Sequence, residues 1–356
     1  MAQENTVHSS LKQARDFISR QNGIIAPLPL SEEELNPELQ DDLSLQAHPL
    51  ESMERSYKVD YKFPDDSEKS EFRFFEDGKQ KTIQIGYIPT LVGDYQIILP
   101  VHYFIVGAVI LERKDKELAL WQTADVQKGI LVEKSLVPDQ TSLKRYEDAG
   151  LQVIDTETNG GDYYALKKQA LRKSKELRLK SEERLIAEWR RSAISTDDFL
   201  IVDGTLMNLR NEDSIRQCVG VSKSFGSRYF DIGAHNRIMR MQEFERSWAF
   251  RFHDPEGESS DQRMGSRERV SWYLRLRTRP NTDPEFGLVR VEISKHYVNN
   301  SASYVDRFSR SLLSERLPTS YPAPRWHNHL YPVCSCESYL SSILPSIRTI
   351  NASMKG

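Results

Sequence analysis

The sequence predicts an α/β fold with a mixed central β-sheet flanked by helices, and three observations predict it. Short β-branched or aromatic stretches separated by Gly, Pro and Asp crowd residues 56–123. A stretch free of Gly and Pro and rich in helix formers runs through 163–194. Two alternating stretches and an apolar terminal segment follow it. Strands, one long helix, then more strands and terminal helix point to helices packed on a sheet. With 356 residues, the chain is within reach of one large α/β domain carrying insertions.

Residues 1–21 place Leu11, Ala14, Phe17 and Ile18 on one stripe, the spacing of an amphipathic helix. "IIAPLPLSEEELNPELQDDL" then reads as a linker or surface-wrapping segment, rich in Pro and acid. Together they give an N-terminal extension, helix plus acidic linker, over 1–55, ahead of a main domain over 56–356. In the main domain "YKVDYKF", "EFRFFEDG", "KTIQIGYIP", "YQIILPVHYFIVGAVILE" and "ELALWQT" are strands, mostly antiparallel because the gaps between them are short. In the helix over 163–194, Leu166, Ala170, Leu177, Leu185 and Trp189 recur on one face. "STDDFLIVDG" supplies a break and a strand, "RVSWYLRLRT" and "GLVRVEISKHYV" a strand pair, and "CESYLSSILPSIRTINAS" a terminal helix.

Composition narrows the function class. Hydrophobic residues at 38% suffice for a core, and 28% charged residues describe a soluble protein. The longest apolar run, "IILPVHYFIVGAVIL", is too short to span a bilayer, and the N-terminus lacks the apolar core of a signal peptide, so a cytoplasmic location is expected. Cys218, Cys334 and Cys336 give neither a disulfide framework nor a four-ligand zinc spacing. Net charge is -3, but residues 1–70 hold fourteen acidic against seven basic residues, and 165–195 hold ten basic against four acidic. A local cationic face of that kind holds a polyanion, and a solvated helix shows much the same pattern.

"FLIVDG" runs apolar residues into Asp203 and Gly204. A strand end that delivers a carboxylate to a crevice places a metal ligand or a catalytic acid; Asp-Gly is equally the sequence of a tight turn. "EFRFFEDGKQ" repeats the pattern at Asp77 and Gly78, where a hairpin between "FRFF" and "TIQIG" is the plainer reading and Lys79 and Lys81 look solvated. Two such carboxylates with a helical third from Glu176, Glu182, Glu183 or Glu188 would hold divalent cations, which need several acids converging from separate elements. Glu188 lies closest to Asp203 in sequence and beside Trp189; periodicity does not choose among the four.

"FFEDG", "AEWRR", "FLIVDGTL", "CVGVSKS", "WYLRLRT…FGLVRVEIS" and "YPAPRWHNH", in that order over about residues 70–340, resemble the NurA nucleases. The resemblance implies a ribonuclease-H-like core and a metal set of Asp77, Glu188 and Asp203. It implies a lysine near the phosphate path at Lys223, and an active-site Tyr and His at Tyr321 and His329. It further implies manganese, or magnesium in its place, as cofactor, single-strand endonuclease and 5′ to 3′ exonuclease activity on DNA, and a homodimer. A hexameric HerA-type translocase is the implied partner, in DNA end processing or defence against foreign DNA. One departure stands out: the family's first motif reads Asp-Gly-Ser, and here it is Asp77-Gly78-Lys79. A lysine there contacts DNA, or marks a site no longer arranged for metal.

The residue types fit phosphodiester hydrolysis: a divalent cation lowers the pKa of a bound water and offsets charge in the transition state. His329 suits general acid–base work or metal ligation, and also a solvated or core histidine. Tyr321 suits phosphate positioning, and also packing beside Pro322. Arg275, Arg277 and Arg279 alternate in "RLRTR" as a row for phosphates or the charged face of an edge strand. Glu292 is a further acid or a salt-bridge partner to those arginines. "HNH" at 327–329 lacks the wide spacing of the nuclease motif of that name, "CSC" at 334–336 lacks partner ligands, and "NGG" at 159–161 is a turn without a following Gly-Lys-Ser/Thr. The alternative from another class is a catalytically inactive DNA-binding or adaptor subunit of a HerA-type motor; an RNA-directed enzyme of the same fold is a further one.

Overall fold

Alternation and turn chemistry build the longest element first. Gly93, at a φ of 59°, and Asp94 form a two-residue turn between β4 (Phe72–Val92) and β5 (Tyr95–Lys114), which pair antiparallel from Val92–Tyr95 back to Phe74–Glu112. The computed structural model describes residues 2–25, 47–61, 70–158, 161–192, 195, 198–206, 209, 215–223, 229–252, 269–294, 302–318 and 326–355. Of the acidic linker expected over 24–43, Ile24 and Ile25 pair instead with Tyr87 and Gly86 of β4, and the rest lies outside the described residues.

Before the hairpin come α1 (Ala2–Arg20), β1 (Ile24–Ile25), β2 (Ala47–Pro49) and β3 (Tyr57–Lys58). After it come β6 (Glu117–Leu120), β7 (Asp125–Val132), α2 (Gln140–Asp148), β8 (Val153–Asp155) and α3 (Tyr163–Arg191). Then follow β9 (Phe199–Asp203), β10 (Cys218–Ser222), α4 (Ile232–Met239), β11 (Glu245–Arg246), β12 (Phe250–Phe252), β13 (Arg269–Arg275) and β14 (Leu288–Ser294). Helices α5 (Ala302–Ser314), α6 (Tyr331–Ile343) and α7 (Ile347–Lys355) close the chain. Pro345 separates the last two, since it can neither donate to nor fit inside a continuing helix.

The strands form one mixed sheet in the order β2-β12-β13-β14-β10-β9-β4-β5-β7-β8, with β1, β3, β6 and β11 off that path. β9 is parallel to both β4 and β10, and the remaining pairs of the central path are antiparallel apart from β7–β8. Helices cover both faces, which is the mixed α/β architecture expected. On one face the core joins Phe17, Ile18, Phe75, Ile201, Trp272, Phe308, Val333, Leu340 and Ile350, contributed by α1, α5, α6, α7 and the sheet. On the other, Phe74, Leu200 and Val202 meet Leu185, Ile186 and Trp189 of α3.

Helix α3 starts where the Asp162 side chain accepts from the Ala165 amide, an N-cap, and it lies close to the sheet through small buried residues. Ser174 bonds Thr82 of β4 at 2.6 Å, and Gln127 of β7 donates to Ser181 at 2.7 Å. This close approach brings the Glu182 side chain onto β4.

The segment ahead of residue 55 shares the main core: Leu11, Ala14, Phe17 and Ile18 are fully buried in it. Glu51 ties the same segment to the sheet by pairing with the buried Arg246 at 2.7 Å and accepting from the Ala249 amide. Among the described residues no helix is long and apolar enough to cross a membrane. Phe17 packs edge-on against Tyr146, so Phe17→Ala is expected to cost about 3 kcal/mol. Chemical denaturation followed by circular dichroism should show one lowered transition, with no separate N-terminal step.

Candidate metal centre

Register places the first two carboxylates. Parallel pairing of β4 with β9 runs to Glu76 opposite Val202, so the next residue on each strand, Asp77 and Asp203, stand side by side. Side chains alternate along a strand. Asp77 shares its face with Phe75, and Asp203 with Ile201, and both faces belong to the core under α5, α6 and α7. Helix α6 adds Glu337, one residue past the buried Cys336. Ligand atoms of Asp77, Asp203 and Glu337 all lie within 4.8 Å of one another. Asp77 is buried, whereas Asp203 and Glu337 are half-buried and open the cluster to solvent.

Asp77-Gly78 is therefore no hairpin and no strand end. Asp77 pairs with Val109 and Gly78 with Ala108 in the middle of β4, and the turn falls sixteen residues after Asp77, at Gly93. Gly78 is needed for a different reason. A Cβ at that position would lie 1.8 Å from Glu182 Oε1, so the absent side chain leaves the space that the Glu182 carboxylate fills. Asp203, by contrast, does end its strand, and Gly204 turns the chain at a φ of 111°.

A second acidic pair lies across β4 from the first group. Glu76 shares its face with Phe74, toward α3, and is fully buried, and neither carboxylate oxygen has a hydrogen-bond partner among the described residues. Glu182 pairs with Arg178 on the same helix. Burial raises the Glu76 carboxyl well above its ordinary range, with Glu182 and Asp77 adding to the shift. Burial does the same to Asp77, with the neighbouring Asp203 next in importance and Lys223 opposing. Burial pushes Glu182 up to about 7 against the pull of Arg178. These acids cannot all ionise cheaply without added positive charge.

Lys223, just past β10, supplies part of that charge. Its Nζ lies 2.9 Å from Asp203 Oδ2, 3.7 Å from Glu337 Oε1 and 3.3 Å from His329 Nδ1. Burial works against its charge, but Asp203, Glu337 and Asp77 outweigh that and hold the ammonium above its ordinary value. His329 itself is buried, and its backbone carbonyl accepts from the Leu317 amide.

Of the residues singled out in the sequence, Asp77, Asp203 and Lys223 lie together, and His329 lies against Lys223. Glu188 does not join them: its carboxylate accepts from Gln122 at 2.7 Å, and the helical acid that reaches β4 is Glu182, nearly two turns earlier on α3, which lies over Gly78 beside Glu76 on the opposite face. Lys79 donates to Ser341 of α6 at 2.8 Å, and Lys81 is buried, donating to Pro345 O at 3.0 Å. Tyr321 lies outside the described residues, as do Asn159 and Gly160 of "NGG".

The arginine row is not formed. β13 ends at Arg275, whose buried guanidinium donates to Pro284 O, Phe286 O and Met239 O, the last at the end of α4. Arg277 instead donates to Leu317 O and lies over the Trp326 ring. Spacing missed Glu337 and Glu76. Each is a charge beside apolar neighbours on an otherwise core-facing helix or strand, which is the signal that would have found them.

Three carboxylates offer hard oxygen donors, suited to a hard divalent cation rather than to a soft metal. Cys336, near them, is buried and donates to Phe75 O, and burial raises its thiol. Comparison with known proteins finds no family model that matches the chain and no matching curated protein.

Two outcomes follow. Gly78→Ala forces the Glu182 carboxylate aside and is expected to cost about 1–3 kcal/mol by thermal denaturation. The second concerns pH. A carboxyl whose folded pKa is raised contributes stability below its unfolded pKa and loses it as pH rises through the folded one. For Glu182 that window runs from about 4.5 to about 7. Without divalent cations, wild-type Tm should therefore fall relative to Glu182→Gln as pH is raised from about 5 to about 8.

Proposed function

We propose that the chain is a divalent-metal-dependent nuclease that hydrolyses DNA phosphodiesters, with Asp77, Asp203 and Glu337 as its metal ligands. The observation that carries this reading is the convergence of those carboxylates, remote in sequence, within 4.8 Å. It is supported by the Asp77 carboxyl, which burial and the neighbouring Asp203 and Glu337 raise above its ordinary range and which a cation held there would relieve. A hard divalent cation, when bound, polarises a phosphoryl oxygen and makes a coordinated water more acidic. Lys223 supplies a fixed positive charge for a phosphate at the same place, and His329, touching Lys223, is placed to move a proton at a leaving or attacking oxygen. The choice of DNA, the single-strand endonuclease and 5′ to 3′ exonuclease modes, the manganese preference, the homodimer and the HerA-type hexameric partner follow from the NurA resemblance alone. So does the ribonuclease-H-like description of the sheet.

One observation favours a second reading. The Lys223 ammonium sits 2.9 Å from Asp203, where it neutralises the cluster as an ion pair. A cluster closed in that way would leave a DNA-binding or adaptor subunit of a motor, without hydrolysis. A plasmid and a single-stranded oligonucleotide, incubated with manganese and with EDTA, separate the two. The nuclease reading expects manganese-dependent cleavage that EDTA abolishes. It also expects Asp203→Ala to lower the rate by more than about a hundredfold, the upper end for residues that only support a ligand. Cleavage that survives EDTA or Asp203→Ala contradicts the metal centre, and binding without cleavage supports the adaptor. RNA of the same sequence serves as the control for substrate class.

A further inference from the structure

Asp203 is the last residue of β9, and the chain leaves it through Gly204. A strand end of this kind frays unless the following residues are tied down. Here one buried acid ties them. Glu292 of β14 is fully buried, and its carboxylate accepts from Thr205 Oγ1 at 2.8 and 3.0 Å and from the Leu206 amide at 3.0 Å. Arg290, two residues earlier on β14, holds Glu292 from the other side at 2.7 Å and donates to the Tyr229 hydroxyl. The tie crosses β10, which lies between β9 and β14 in the sheet. Gly220 of β10 permits the crossing, because a Cβ there would meet Gly204 O and Leu206 Cγ, both at 2.9 Å. The Gly204 amide makes the last ladder bond, to Val221 O at 2.9 Å.

We propose that Glu292 is a positioning residue: through Thr205 and Leu206 it fixes the turn after Asp203 and so aims the Asp203 carboxylate at the cation shared with Asp77 and Glu337. This role rests on the metal-site reading above. It assigns Glu292 a support function behind the turn that carries Asp203 rather than on a ligand side chain itself; loss of a group that orients a metal ligand ordinarily lowers metal affinity about 10- to 100-fold.

The test uses Thr205, which is half-buried, so that Glu292 keeps its ion pair with Arg290. Thr205→Val preserves shape and removes the hydroxyl; Thr205→Ser restores it. Manganese binding to the full chain is titrated by the electron paramagnetic resonance signal of free Mn2+, well below the Tm of each variant. The expected result is a dissociation constant raised on the order of tenfold in Thr205→Val and within about twofold of wild type in Thr205→Ser. A merely structural hydroxyl would lower Tm and leave the affinity of the folded protein unchanged. Equal affinity of Thr205→Val and wild type overturns the role of Glu292 alone, as does equal weakening in Thr205→Ser. Should wild type bind no manganese in the same titration, the metal-site reading falls and the positioning role with it.

Discussion

Carboxylates forced together by strand register are the constraint on which the site depends. Asp77 and Asp203 are adjacent because β9 runs parallel to β4 and stops one residue after their last paired position. Glu337 arrives on a helix packed over the same face, and Glu76 and Glu182 crowd the opposite face of β4. Lys223 and Arg178 are the cations set against this group. In a medium of low effective dielectric, like charges this close keep protons or attract a cation. One geometry gives both: raised carboxyl pKa values without an ion, and a set of hard oxygen ligands for one.

The rest of the fold keeps that crowding in place. Both faces of β5 are buried over most of its length, so β4 has a rigid neighbour on the side away from β9. Ser174 and Ser181 let α3 lie close enough for Glu182 to fill the space above Gly78. On the far side, the Arg290–Glu292 pair holds the turn that leaves Asp203. Arg246, buried between Glu51 and Asp306, fastens the N-terminal segment and α5 to the sheet that carries these strands.

Much of this was legible in the sequence, for identifiable reasons. The long helix was readable because 29 residues without Gly or Pro carry one buried stripe. The strand that ends on Asp203 was readable from its apolar run, but Asp-Gly alone left a turn and a metal-placing strand end equally open. Asp77-Gly78 misled, because glycine after aspartate signals a turn by local propensity, and nothing local reveals that a helix a hundred residues later needs the space. Glu182 over Glu188 is likewise a question of which turn of α3 crosses β4, set by Ser174 and Ser181 rather than by periodicity. Arg275 looked like one of a row of exposed cations. Its burial follows from the end of β13 and the carbonyls gathered there, which are tertiary facts.

Anomalous diffraction at the manganese edge, on crystals of the full chain soaked in Mn2+, addresses the site directly. The account predicts a peak coordinated by Asp77, Asp203 and Glu337, with the Lys223 ammonium moved off Asp203. Intact contact of Lys223 with Asp203 and no anomalous peak between the three carboxylates would contradict it.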